Sequence, residues 1–113
     1  MWATNAKLKD AFKVLEGWGY DYKTNFVWIK NKLGLGNYVR GKHELLLIGK
    51  KGKIPTPEEA TRPPSIIVAN VQEHSKKPEI VYELIESMYP NRQYLELFAR
   101  NTREGWVSWG DEV

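Results

Sequence analysis

The sequence predicts an α/β fold in which helices cover a mixed or parallel sheet. Two apolar runs, Phe26-Val27-Trp28-Ile29 and Leu45-Leu46-Leu47-Ile48, have the aromatic and branched content of buried strands. Segments with helical spacing of apolar residues lie before and after them. That alternation of strand and helix along the chain argues for helices packed on a sheet.

The elements follow in order. From Asn5 to Trp18, Leu8, Ala11, Phe12 and Leu15 recur at helical spacing, with Lys7, Lys9, Asp10, Lys13 and Glu16 elsewhere on the wheel. Thr4 or Asn5 is expected to cap this helix, and Gly17 and Gly19 to end it. Tyr20 to Lys30 reads as a strand, as does His43 to Gly49. The stretch between, from Asn31 to Lys42, holds Gly34, Gly36 and Gly41 and reads as a loop. Its glycines do not lie between a strand and a helix start, so they do not form a dinucleotide fingerprint. Residues 50 to 65 are rich in Lys, Gly, Pro and Thr and read as an extended surface loop. A short strand follows from Ser65 to Val71. Pro78 suits the first turn of a helix whose apolar face is Ile80, Val81, Leu84, Ile85 and Met88, with Glu83 and Glu86 pointing elsewhere. Pro90-Asn91 closes it. Strands Tyr94 to Phe98 and Trp106 to Trp109 complete the chain.

At 113 residues the chain is expected to be a single domain. Its 42% hydrophobic and 27% charged residues suit a globular protein, and no apolar run approaches bilayer length. There are no cysteines, which excludes disulfides and thiolate metal sites, and no secretory signal is expected; a cytoplasmic location is the default reading. The net charge of +3 is unevenly spread. Residues 30 to 53 carry seven Lys or Arg and one acid, whereas residues 54 to 113 carry six Lys or Arg and ten acids. A local basic patch attracts phosphate backbones, and it serves equally as a solubilising loop.

Few residues suit hydrolytic chemistry. His43 and His74 lie in different segments with nothing at metal-ligand spacing around either, so no metal site is expected. His74, Lys76 and Lys77 precede the second helix and could hold an anion, or form only a solvated turn. Glu96 and Arg100 stand at the end of the strand Tyr94 to Phe98. In α/β proteins ligands are held at the carboxyl ends of strands, so this pair is a candidate binding edge. The competing reading is an acid and a base at the rim of an ordinary strand.

Several blocks occur together in one order: Leu15-Glu16-Gly17-Trp18-Gly19-Tyr20, Phe26-Val27-Trp28-Ile29-Lys30, and Gly41-Lys42-His43-Glu44-Leu45-Leu46-Leu47-Ile48-Gly49. They are followed by Glu73-His74-Ser75-Lys76-Lys77-Pro78, Glu96-Leu97-Phe98-Ala99-Arg100, Gly105-Trp106 and Trp109-Gly110. With these blocks the whole chain resembles the carboxyl-terminal part of an MT-A70 family adenine-N6 methyltransferase. That S-adenosylmethionine-dependent group includes eukaryotic messenger-RNA adenosine methyltransferases and many phage and bacterial DNA enzymes. The resemblance implies a Rossmann-like methyltransferase sheet with permuted motif order, S-adenosylmethionine as cofactor, adenine-containing DNA or RNA as partner, and a bacterial or phage origin. By position it implies that Lys77 and Glu96 line the cofactor pocket, that Arg100 and Asn101 lie near the ribose, and that Asp111 and Glu112 meet the adenine end. Family members commonly carry an amide where this chain has Asp111, which accepts hydrogen bonds but cannot donate them. Asn37, Tyr38, Arg40 and Lys42 fall in the region that approaches the nucleic acid.

The family's Asp-Pro-Pro-aromatic motif, which holds the target amine and stacks the extruded base, does not occur in residues 1 to 113. Arg62-Pro63-Pro64-Ser65 shares only its prolines. Met1-Trp2-Ala3-Thr4 looks like the end of a strand begun upstream, where the motif is expected, so the domain reads as truncated with amino-terminal strands missing. No catalytic residue is assigned, and the chain is expected to be inactive alone. The alternatives are a non-catalytic module that binds nucleic acid or a partner, and a homo-oligomer formed through exposed edges.

Overall fold

In the computed structural model, which describes residues 1–113, two apolar faces of one sheet set the architecture. Strand β2 (Asp21–Ile29) pairs antiparallel with β3 (His43–Lys50), from Ile29 opposite His43 to Asp21 opposite Lys50, with a bulge between Tyr22 and Thr24. Strand β1 (Trp2–Ala3) lies antiparallel on the other side of β3, and β4 (Ile66–Val68) lies parallel on the other side of β2. The order is β1-β3-β2-β4, a mixed sheet as the sequence pattern predicts.

Because side chains alternate across a strand, each face gathers its own core. Phe26, Trp28, Leu46 and Ile67 meet Val81 of helix α2 (Ile80–Met88), with Leu84, Ile85 and Met88 packed beside them. On the opposite face, Ala3 and Leu47 meet Leu15 of helix α1 (Leu8–Gly17), with Leu8, Ala11 and Phe12 alongside. The apolar stripes read from both helices therefore face the sheet, one on each side, except that Ile80, at the first turn of α2, is exposed.

The start of α1 differs from expectation. Residues Asn5–Lys7 form a 3₁₀ turn before the helix, and neither Thr4 nor Lys7 makes a side-chain capping bond. The helix end agrees: Gly19 adopts a φ of 87°, and its amide donates to the Glu16 carbonyl at 2.9 Å. The stretch read as a long loop contains one 3₁₀ turn, Glu59–Thr61.

The larger departure is in the last third. Strands β5 (Tyr94–Leu97) and β6 (Trp106–Trp109) do not extend the main sheet; they pair parallel with each other, Tyr94 opposite Trp106 and Leu97 opposite Trp109. Beyond the paired residues the Ala99 amide donates to the Trp109 carbonyl at 2.9 Å. This crossing is tight enough that a Cβ on Gly110 would stand 2.8 Å from the Ala99 carbonyl oxygen, so the backbones meet only because that residue is glycine. The ribbon turns Tyr94, Glu96, Trp106 and Ser108 inward and leaves Leu95, Leu97, Val107 and Trp109 exposed. No helix is long and apolar enough to cross a membrane.

Candidate functional site

Since β1, β2 and β4 all run opposite to β3, the carboxyl ends of three strands and the amino end of the fourth share one edge. That edge carries Thr4, Lys30, Ala69, His43 and Glu44. The segment before α2 adds Lys77. Glu44 is the centre of this group: its side chain is 8% exposed, Lys30 Nζ lies 2.7 Å from Oε2, and Lys77 Nζ lies 2.8 Å from Oε1. Lys30 also sits 5.0 Å over the Trp28 ring and Lys77 5.5 Å over the Trp2 ring, so each cation rests on an electron-rich face.

Burial pushes the Glu44 carboxyl up, but hydrogen bonds from Lys30 and Lys77 and their charges outweigh it, and the group is held below the ordinary glutamate range. A depressed carboxyl stabilises the fold above its ordinary value, and that contribution is lost as pH falls through the lowered one.

Two cavities flank Glu44. One, of about 370 Å³, is lined by Trp2, Thr4, Lys7, Asp10 and Lys77 among others; the second, of about 190 Å³, is lined by Lys30, Gly34, Gly41 and His43 among others. Thr4 and Glu44 line both. Sequence reasoning passed over Lys30 and Glu44. The available signal was that Glu44 is the single acid among the seven cations of residues 30 to 53 and opens an apolar strand.

The remaining residues expected at the cofactor pocket lie along the β5–β6 ribbon. Arg100 joins the tail to the segment before α2: Nε is 3.1 Å from Glu112 Oε2, Nη2 is 3.6 Å from Glu73 Oε2, and Nη1 donates to the His74 carbonyl. Glu96 instead accepts a 2.6 Å hydrogen bond from the Tyr82 hydroxyl of α2. Burial, then that bond and the Glu96 charge, raises the Tyr82 hydroxyl pKa. Asn101 and Asp111 are exposed. Arg100 and Glu112 thus meet directly, whereas Lys77 pairs with Glu44 and Glu96 with Tyr82.

Glu86, read from the helix pattern only as pointing away from the apolar face, fastens the ribbon to α2. It accepts from Arg103 Nε and Nη2 at 2.9 Å each and from Trp106 Nε1 at 2.7 Å. The Arg103 bonds, then the Trp106 bond, pull its pKa to about 2. A carboxyl-detected NMR titration is expected to place the Glu86 midpoint near that value, and Arg103→Gln to move it upward. A midpoint at the ordinary value of about 4.3 in the unsubstituted protein would mean the Arg103 fork is not formed in solution.

The basic loop between β2 and β3 is an arm with a closed neck. The Lys30 amide donates to the Lys42 carbonyl at 2.8 Å and the Gly34 amide to the Gly41 carbonyl at 2.6 Å. Arg40 Nε donates to the Gly34 carbonyl at 3.3 Å. Asn37, Tyr38, Arg40 and Lys42 are all exposed, Tyr38 fully so, and the neck borders the smaller cavity. No three His, Asp or Glu side chains converge in the molecule.

A model of the MT-A70 family matches residues 1–112. The chain is 40% identical over 114 residues to the Type II methyltransferase M.MunI of Mycoplasma sp, covering 100% of this chain and 49% of that protein. It is 33% identical over 123 residues to the N(6)-adenosine-methyltransferase MT-A70-like of Arabidopsis thaliana, covering all of this chain and 18% of that protein. With the N(6)-adenosine-methyltransferase catalytic subunit METTL3 of Homo sapiens the identity is 28% over 123 residues, across 21% of that protein. The chain therefore spans about half the length of the bacterial relative and about a fifth of these eukaryotic ones.

Proposed function

The chain belongs to the MT-A70 family, and from that premise we propose that residues 1–113 supply the cofactor-binding part of an S-adenosylmethionine-dependent adenine-N6 methyltransferase domain. The sheet and its two helices are then part of a Rossmann-like methyltransferase fold with permuted motif order, and the target is adenine in DNA or RNA.

The observation that carries this reading is the Lys30–Glu44–Lys77 group at the shared strand edge. The amino-acid end of S-adenosylmethionine bears a carboxylate, and the Lys77 ammonium, held at the cavity wall by Glu44, complements it. The adjoining cavity of about 370 Å³ lies within the range of small-molecule sites, about 300 to 1,000 Å³. When bound, the cofactor supplies an electrophilic methyl group on a sulfonium. Lys77 holds the carboxylate. Glu96, Arg100, Asn101, Asp111 and Glu112 serve the nucleoside end, Arg100 and Glu112 as an already formed pair. The arm bearing Asn37, Tyr38, Arg40 and Lys42 reaches toward the nucleic acid, its cations meeting phosphates and Tyr38 offering a stacking surface.

Methyl transfer also needs the amine held in line with the sulfonium. Residues 1–113 contain no Asp-Pro-Pro-aromatic motif to hold it, so in this reading that role falls to a segment outside them. The 113-residue chain alone is then inactive.

Calorimetric titration with S-adenosylmethionine is expected to show one saturable site that Lys77→Ala abolishes. A methyl-transfer assay on adenine-containing DNA and RNA should give no turnover with the 113-residue chain. Turnover would refute the claim of inactivity. Absence of cofactor binding together with salt-sensitive nucleic-acid binding would instead identify a non-catalytic binding module.

A further inference from the structure

Resting on the cofactor reading above, we propose that Glu44 is a positioning residue for the ligand pocket: braced by Lys30, its buried carboxylate holds the Lys77 ammonium toward the amino-acid end of the bound nucleoside.

The geometry divides the work between the two carboxylate oxygens. Oε2 is taken by Lys30 and Oε1 by Lys77, at 2.7 and 2.8 Å. The two lysines belong to different cavities: Lys77 lines the larger with Trp2 and Thr4, and Lys30 lines the smaller with Gly34 and His43. Glu44, with Thr4, stands between them. An ammonium has three donors, so after bonding Glu44 the Lys77 nitrogen keeps two for a ligand. Trp2 beneath it and Glu44 beside it remove most of the freedom that a four-carbon stem otherwise has. A lysine that a ligand need not order itself binds more tightly, because the ordering cost has been met on folding.

Lys30 makes this arrangement durable. A buried carboxylate facing one lysine would turn whenever that lysine moved to a ligand. With the second cation fixed on Oε2 and resting over Trp28, the carboxylate stays in place while Lys77 shares its remaining donors.

The test compares two ligands that share the adenosine and thioether parts, S-adenosylhomocysteine and 5′-methylthioadenosine, the second lacking the amino-acid end. For Glu44→Gln the affinity for S-adenosylhomocysteine should fall about tenfold, the scale set by freeing one long side chain. The affinity for 5′-methylthioadenosine should stay within about twofold, and equal losses for both ligands would mean that Glu44 only maintains the fold, overturning the proposal. A double-mutant cycle asks whether Glu44 acts through Lys77: once Lys77→Ala is present, adding Glu44→Gln should cost nothing further. Additive losses would overturn the proposal. If Glu44→Gln does not fold, Lys30→Gln replaces it in both comparisons, with a loss confined to S-adenosylhomocysteine again expected and an unchanged affinity again overturning the idea. If the unsubstituted protein binds neither ligand, the cofactor reading fails and this inference with it; if it binds both and the variants do not differ from it, only this inference fails.

Discussion

Trp28→Ala is expected to leave the protein largely unfolded in water. Trp28 is 2% exposed at the centre of the cluster of Phe26, Leu46, Ile67 and Val81, and it stands edge-on to Trp2 with ring centroids 5.8 Å apart. Removing so large a buried side chain costs about 3–5 kcal/mol, because the surroundings close only partly around the void. A second loss is polar. The indole Nε1 donates to the Ala69 carbonyl at 2.9 Å, and losing this part-buried hydrogen bond costs about a further 1 kcal/mol. The total is comparable with the whole stability of many domains, about 5–15 kcal/mol. Urea unfolding followed by tryptophan fluorescence and circular dichroism checks this. A variant retaining a cooperative transition with less than about 2 kcal/mol lost would show that the site collapses well, contrary to the packing described.

Trp106→Ala should act differently, loosening one part of the molecule while the rest stands. Trp106 stacks on Tyr94 at 4.9 Å, meets Tyr82 edge-on at 5.1 Å, and donates from Nε1 to Glu86. The Tyr82 and Glu86 contacts attach the β5–β6 ribbon to α2, the Tyr94 stack holds β6 on β5, and none of them reaches the four-stranded sheet. The side chain is only half-buried, so a loss of about 2 kcal/mol is expected, below the range for fully buried tryptophan. Hydrogen exchange should show β5 and β6 amides losing protection while β2 and β3 keep theirs, as separate cooperative units do. A parallel loss in β2 and β3 would mean that ribbon and sheet unfold as one. The same substitution should weaken any ligand that depends on Arg100 and Glu112, because both lie at the ribbon's end.

Local pattern made the elements legible and pairing made the sheets illegible. The stripe Leu8, Ala11, Phe12, Leu15 faces the sheet as read, because helical periodicity is a property of a few adjacent turns. Strand positions followed from β-branched and aromatic content in the same way. Whether β5 and β6 join the main sheet depends on α2 and on the Glu86, Arg103 and Tyr82 contacts, which adjacent residues do not encode. The site divides similarly. Lys77 was singled out by the family resemblance; from the residues alone it belonged to a turn that could hold an anion or be only solvated. Its partnership with Glu44, 33 residues earlier, depends on the register of β3 and so could not be read from spacing. Glu96 was visible as a strand-end acid, but the hydroxyl it accepts from belongs to a helix whose rotation is set by packing.

The connectivity of the main sheet also orders events in time. Strands β2 and β3 are joined by a single loop and can pair early, since closing a short stretch of chain costs little entropy. Strand β1 must find β3 across the chain, Trp2 against Leu46, and β4 must find β2, Val27 against Ile66. Distant pairings form slowly because closure is paid before contact rewards it. The late strands supply Trp2, Thr4 and Ala69 to the edge where Lys30, Glu44 and Lys77 gather. The cavity is therefore expected to be among the last parts of the molecule to form, and a ligand that fills it should slow unfolding without hastening folding.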